Sequence, residues 1–412
     1  MSQFEAAPGL ETFAVVERVC GLANDETTVA ATLTTLDRSV TGAARTLEFA
    51  KALAERCERA RLLALAARLC GEWGRKAEGG DRRTPLEKQV TLLLRLAAAK
   101  ASSGDSAGAA QARTDAATAL TALEAAVPQA ARDVAFHTYL RDNYAAIGRY
   151  TEASQAHTAA TGLMAAEARD EANVAYGSQL VQAARRLLAS GQAAQGQALA
   201  GEGQQLLAAA FESRPTKARY EALASALKVA GVAPTVALLD RLNTATTGAD
   251  RDVALCLLLA DGYEKLGRKV QAAAVLGEAA GKLAGDDRVA AVRRQVGLLV
   301  AAAKARKVLG LDGAEADLAA AETAAKGLVA DNAAKTLENL VVVKEMLISF
   351  GREKSAVALL KGFETAAPEE QKTGDFCLQL GLAYGDCGAP ADAARLLALA
   401  LTSTPTFLVG VI

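Results

Sequence analysis

Residues able to do chemistry are few in this chain of 412 and stand apart from one another. The only two histidines, His137 and His157, lie eleven before and nine after Gly148. Those places face each other across a helical hairpin. Two imidazoles there could share a metal, but a tetrahedral site needs two further donors, and no nearby cysteine or carboxylate is spaced to supply them. Packed, hydrogen-bonded histidines are expected. The segment Gly277–Leu283 (GEAAGKL) resembles a phosphate-binding loop, but it is one residue short before its Gly-Lys pair and has Leu where a hydroxyl would meet Mg²⁺. In Gly285–Val289 (GDDRV), Asp286 and Asp287 read as acids at the positive end of a helix. The cysteines Cys20, Cys57, Cys70, Cys256, Cys377 and Cys387 follow no metal or disulfide spacing and read as buried apolar thiols. The chain therefore offers no catalytic residue and no metal or cofactor set, and a non-enzymatic role is expected.

The elements that would position any site are helices. Ala occurs 98 times and Leu 56 times, both strong helix formers. Alternating β-branched and aromatic runs, which a sheet would need, are almost absent. The fold class expected is all-α. Forty-six basic against 47 acidic residues leave a net charge of −1, so no footprint favours nucleic acid. No apolar run reaches the roughly 20 residues of a membrane span. MSQFEAAPGLETF lacks the basic start and apolar stretch of a signal peptide, so a cytoplasmic location is expected.

Glycines mark a repeat. Gly104, Gly148, Gly191, Gly231, Gly267, Gly310, Gly351 and Gly388 each follow an apolar-patterned helix and precede one with small residues on one face. Their separations are 44, 43, 40, 36, 43, 41 and 37 residues. The mean of about 41 fits two helices of about 15–18 residues and two short turns. Glycine suits such turns because the chain leaves the helix in a left-handed conformation that a β-carbon penalises.

Three units align residue by residue. Four before the glycine stand Tyr144, Tyr263 and Tyr384, and eight before it Leu140, Leu259 and Leu380. Five after it come Ala153, Ala272 and Ala393, and twelve after it Ala160, Ala279 and Ala400. This combination resembles the tetratricopeptide (TPR) repeat, and Pro405, seventeen after Gly388, stands where that pattern has its proline. The units at Gly191, Gly231 and Gly351 keep an apolar residue at −4 (Leu187, Leu227, Leu347), and those at Gly104 and Gly310 match least. Departures are Arg141 and Lys344, where the family has a small residue, and a period near 41 instead of 34. The resemblance implies a right-handed α-solenoid of stacked antiparallel hairpins over residues 84–402. Residues 1–74 then form a helical cap, with the charged stretch Arg75–Arg83 as an exposed connection, and residues 403–412 an apolar tail. Ala101–Ala117, low in complexity, reads as a loop with a weakly packed helix.

In TPR-like proteins the first helix of each pair lines the groove. Carried over to ten and six before each glycine, this selects Thr138 and Asp142, Val181 and Arg185, Glu221 and Ser225, Leu257 and Asp261, Val341 and Glu345, Leu378 and Leu382. The Lys and Asn that a chaperone-peptide carboxylate clamp requires are missing at Thr138 and Asp142. The expected function is a scaffold or adaptor holding a protein or peptide partner. Tyr139 and Tyr150 are candidate exposed anchors, and Tyr144 a core residue. Phe407, Leu408, Val409 and Ile412 form an apolar end through which the chain would, in the alternative, assemble into a homo-oligomer.

Overall fold

The computed structural model describes residues 26–330 and 351–403, together with residues 10, 11, 14, 15, 18, 340, 344, 347 and 348. Glu345 and the tail residues Phe407, Leu408, Val409 and Ile412 lie outside the described residues, as does Cys20. Among the described residues every regular element is helical. In chain order these are α1 (Glu26–Ser39), α2 (Leu47–Arg59), α3 (Leu63–Lys76), α4 (Arg83–Ser102), α5 (Ser106–Ala126), α6 (Val134–Ala146), α7 (Tyr150–Gly162), α8 (Ala166–Ala189) and α9 (Ala193–Ser213). There follow α10 (Lys217–Val229), α11 (Val236–Ala245), α12 (Val253–Lys265), α13 (Lys269–Lys282), α14 (Gly285–Leu309), α15 (Ala314–Ala330), α16 (Glu353–Ala366), α17 (Gly374–Asp386) and α18 (Pro390–Ser403). The chain divides into two compact units, Met1–Leu206 and Leu207–Ile412. Within each, helices pack chiefly against their neighbours in the chain, so each unit is an all-α, solenoid-type stack of antiparallel hairpins.

All eight turn glycines have φ between +65° and +81°. A β-carbon at Gly148 would meet nothing within 4 Å, so the backbone conformation alone calls for glycine there. The residue after the turn glycine donates its N–H to the carbonyl five residues back, four before the glycine, at 2.8–3.1 Å, as in Arg149 to Tyr144, Arg268 to Tyr263 and Ala389 to Tyr384. This six-to-one bond satisfies a carbonyl the helix end leaves open. A ninth hairpin, α2–α3, turns the same way at Arg61, the only described non-glycine with positive φ (+56°), and Leu62 donates to the Cys57 carbonyl. Its positions −8, −4 and +5 are Leu53, Cys57 and Ala66, all fully buried. The repeat thus extends into the region expected to be a cap without a motif, hidden there by the missing glycine.

The helix lengths also differ from expectation. First helices are either 13 residues long (α2, α6, α10, α12, α17) or 20–25 (α4, α8, α14). N-caps explain this. Thr46, Asp133, Thr216, Asp252 and Thr373 each stand fifteen before the turn, where the side chain accepts from the N–H three residues on and starts a short helix. In the long helices that place holds Gln89, Tyr176 or Gln295, which do not cap, and the helix continues toward its N-terminus. Ala101–Ala117 is likewise a correction. Asp105 caps α5 by accepting from Gly108 N–H at 2.8 Å, and Ala109, Ala112 and Ala116 are buried against α4. Alanine both favours the helix and lets it approach closely. Around Arg75–Arg83 the surface is exposed except at buried Ala77 and half-buried Arg83, but α3 and α4 on either side pack on each other as one more neighbouring pair.

Arginines close the other ends of the hairpins. Arg45, Arg132, Arg169 and Arg251 each reach back to carbonyls five and eight residues before them, at the end of the preceding helix. The guanidinium fork supplies donors to acceptors that have no helical partner. One further regularity is visible once these devices are placed. Residues 42–104 and 248–310, 206 apart, are identical at 21 of 63 positions, and the identities include the structural pairs. Arg45 with Glu72 and Lys76 corresponds to Arg251 with Glu278 and Lys282, and Gly71 under Gln89 to Gly277 under Gln295. The two units therefore contain copies of one longer module.

Candidate functional site

The residues six before each turn form the most regular exposed series. Glu55, Ala98, Asp142, Arg185, Asp261, Lys304 and Leu382 are exposed, and Ser225 is half-buried. In five of these helices both −8 and −4 are buried (Leu53/Cys57, Leu140/Tyr144, Leu223/Leu227, Leu259/Tyr263, Leu380/Tyr384), and four-residue helical spacing turns the −6 position away from them. Asp142 pairs with Arg141 at 2.8 Å, and Asp261 with Arg294 at 2.6 Å. The −10 places are less uniform. Glu221 is exposed, Thr138, Leu257 and Leu378 are half-buried, and Val181 is buried. The two long side chains at −7, where the family has small residues, are both withdrawn from solvent. Arg141 lies over the Tyr176 ring at 5.6 Å, and Lys344, 2% exposed, bonds Asp386 at 2.6 Å.

The aromatic residues near Gly148 are used differently than expected. Tyr139 is half-buried and donates to the Glu87 carbonyl at 2.7 Å, fastening α6 to α4, and burial pushes its hydroxyl up to about 12. It is a structural contact and not a free anchor. Tyr150 is half-buried at the start of α7. Tyr144 is core as expected, and a single device recurs in its aligned partners: the hydroxyls of Tyr144, Tyr263 and Tyr384 donate to Glu124, Asp240 and Glu364 of the preceding helix at 3.3, 2.7 and 3.0 Å.

The histidines do not meet. His157 is buried, stacks on Tyr176 of α8 at 4.4 Å between centroids, and places Nε2 2.9 Å from Asn173 Oδ1. Burial holds its pKa below the usual imidazole value. His137 instead lines a cavity of about 410 Å³ with Glu124, Arg132, Tyr144 and Glu152, and burial followed by the Arg132 charge lowers its pKa also. Among the described residues no group of three or more His, Cys, Asp or Glu is placed to hold a metal. The five described cysteines are buried free thiols, with burial pushing Cys57 up to about 12 and Cys70 to about 11.

A larger cavity, about 700 Å³, lies in unit 2 among α10, α11 and α12. It follows from a local irregularity. Most second helices begin two residues after the turn, as at Leu63, Ser106, Tyr150 and Lys269, but α11 begins five after Gly231, at Val236. Pro234 falls where the first helical turn would be, and Thr235 caps the delayed start. The +5 position, a buried alanine in the hairpins turning at Arg61, Gly104, Gly148, Gly267, Gly351 and Gly388, is here half-buried Val236. The wall is mostly apolar, with Ala224, Val232, Leu239, Leu258 and Leu266. Asp261, Lys228 and Lys265 stand at its rim. Only Asp261 among these was singled out by sequence; the usable signal for the rest was the Gly-Val-Ala-Pro that interrupts the hairpin.

Compared with known proteins, the chain matches no protein-family model and no curated protein. Among solved structures it is similar to one titled "Structure of Naa15/Naa10 bound to HypK-THB", at 14% identity, covering 98% of this chain and 70% of that one with a TM-score of 0.22. The hairpin architecture stands on the geometry above and not on this likeness.

Proposed function

We propose that the chain is a non-enzymatic scaffold that holds a protein or peptide segment along the exposed faces of its first helices. The observation that supports this most is the outward series at −6, which offers polar and apolar groups at one position of successive hairpins while the −8 and −4 positions hold the hairpins together. Affinity spread over several repeats needs little rearrangement of the chain, because each described hairpin is fixed by its turn and four junctions by an arginine closure. The groove residues in this reading are Thr138, Asp142, Arg185, Glu221, Asp261, Leu378 and Leu382, with Glu345 as a further member. The test is affinity capture with wild-type protein and an Asp142→Lys/Arg185→Glu/Asp261→Lys variant. A partner recovered near one-to-one with the wild type and lost with the variant is the expected result. Equal recovery by both would refute the groove.

Assembly of copies is a second reading, favoured by the apolar side chains on α18, where Leu399 is 45% and Leu401 63% exposed. A Leu399→Lys/Leu401→Lys variant should then scatter light as a smaller particle, and an unchanged mass would remove this reading.

A further inference from the structure

We propose that the cavity among α10, α11 and α12 is a binding site for an acidic protein segment, taking one large apolar side chain inside and its flanking carboxylates at the rim. The proposal does not depend on the −6 series being a binding face.

Three features on the cavity wall point to this ligand. The first is volume and lining: about 700 Å³, chiefly apolar, falls within the roughly 300–1,000 Å³ of ordinary ligand pockets. The second is Tyr220. It is only 6% exposed and lines the cavity, yet its hydroxyl has no hydrogen-bond partner among the described residues. The other buried tyrosines all have one, as at Tyr144, Tyr176, Tyr263 and Tyr384. The hydroxyl oxygen is reached from the cavity, so a ligand carbonyl or carboxylate entering there would accept its hydrogen bond.

The third feature is charge. Lys228 and Lys265 are exposed at the rim and carry no ion pair among the described residues, whereas the single rim acid, Asp261, shares Arg294 with Glu264. The rim is therefore cationic, and Val232, 48% exposed, extends the apolar wall to its lip. An acidic segment is complementary at the edge and an apolar side chain in the interior. Both lysines also lie in the last turns of their helices, where the macrodipole favours cations. Blocking the cavity without changing charge separates the two roles.

The experiment uses the full chain and a fluorescein-labelled glutamate-rich peptide with a central Leu-Phe pair, followed by anisotropy. Saturable binding is expected. It should weaken by about tenfold or more in Lys228→Glu/Lys265→Glu, from two charge reversals at the rim. Ala233→Trp, which fills the mouth from the exposed loop, should abolish it, as should serines in place of the Leu-Phe pair. Circular dichroism melts of both variants verify that they fold. No saturable binding by the wild type, or binding that neither variant changes, overturns the proposal. Dodecanoate binding in the cavity where the peptide does not bind also overturns it, in favour of a small amphiphile.

Discussion

Replacing Arg61 with glycine should stabilise unit 1, although it deletes a long side chain. Arg61 occupies the left-handed turn position (φ +56°) that glycine holds in every other described hairpin. A β-carbon there costs about 1–2 kcal/mol. Glycine would return about 0.5–1 kcal/mol of this through the greater freedom of the unfolded chain. The net gain is about 0.5–1 kcal/mol. Little else is lost, because the Arg61 side chain is exposed and makes no ion pair among the described residues. For a unit of this size the midpoint should rise by about 1–4 °C. The reverse change at the corresponding turn of the other module, Gly267→Arg (φ +72°), should lower stability by a comparable amount. Differential scanning calorimetry of the full chain, supported by urea melts, reads both. A fall in midpoint for Arg61→Gly, or no loss for Gly267→Arg, would refute the assignment of Arg61 to the repeat turn.

Other consequences follow from the packing. Arg45 bonds Asp37 at 2.7 Å and Glu72 at 2.8 Å. Burial alone would raise both acids, but the arginine bonds outweigh it and hold both below their ordinary values. Their stabilisation is therefore present above the ordinary carboxylate range and lost as pH falls through the lowered values, so Arg45→Met should cost about 2–3 kcal/mol at pH 7 and less at pH 3 in urea melts. An equal cost at both pH values would contradict this. Asp252→Ala removes the cap of α12 and should cost about 1 kcal/mol. Hydrogen exchange should then show fraying confined to the first turn of that helix. Native Cys57 and Cys70 should resist a thiol reagent at pH 8 and react fully in urea, as read by peptide mass; rapid native labelling would show that these sites open.

Several elements were legible as sequence because they depend on one residue's own backbone preference. Each glycine chosen for a turn adopts a left-handed φ, since few other residues take that conformation without strain. In the units at Gly148, Gly267 and Gly388 the −8, −4 and +5 positions are buried because helical spacing brings them to one face. Thr and Asp fifteen before the turn were equally available as a signal for short helices, and Gln89, Tyr176 and Gln295 as its absence. The Arg61 hairpin was hidden because strain there is borne by tertiary packing, which can hold an unfavourable residue in place. Tertiary structure also decided which partner each polar group takes: Tyr139 binds a carbonyl of α4, the two histidines face different helices, and Tyr220 is left without a partner. Those outcomes depend on distances between helices far apart in the chain, and a residue's type limits its bonding capacity without selecting its neighbour. The cavity beside Tyr220 belongs to the same class. Pro234 announces a delayed helix, but only the packing of α10 and α12 around the gap leaves it open.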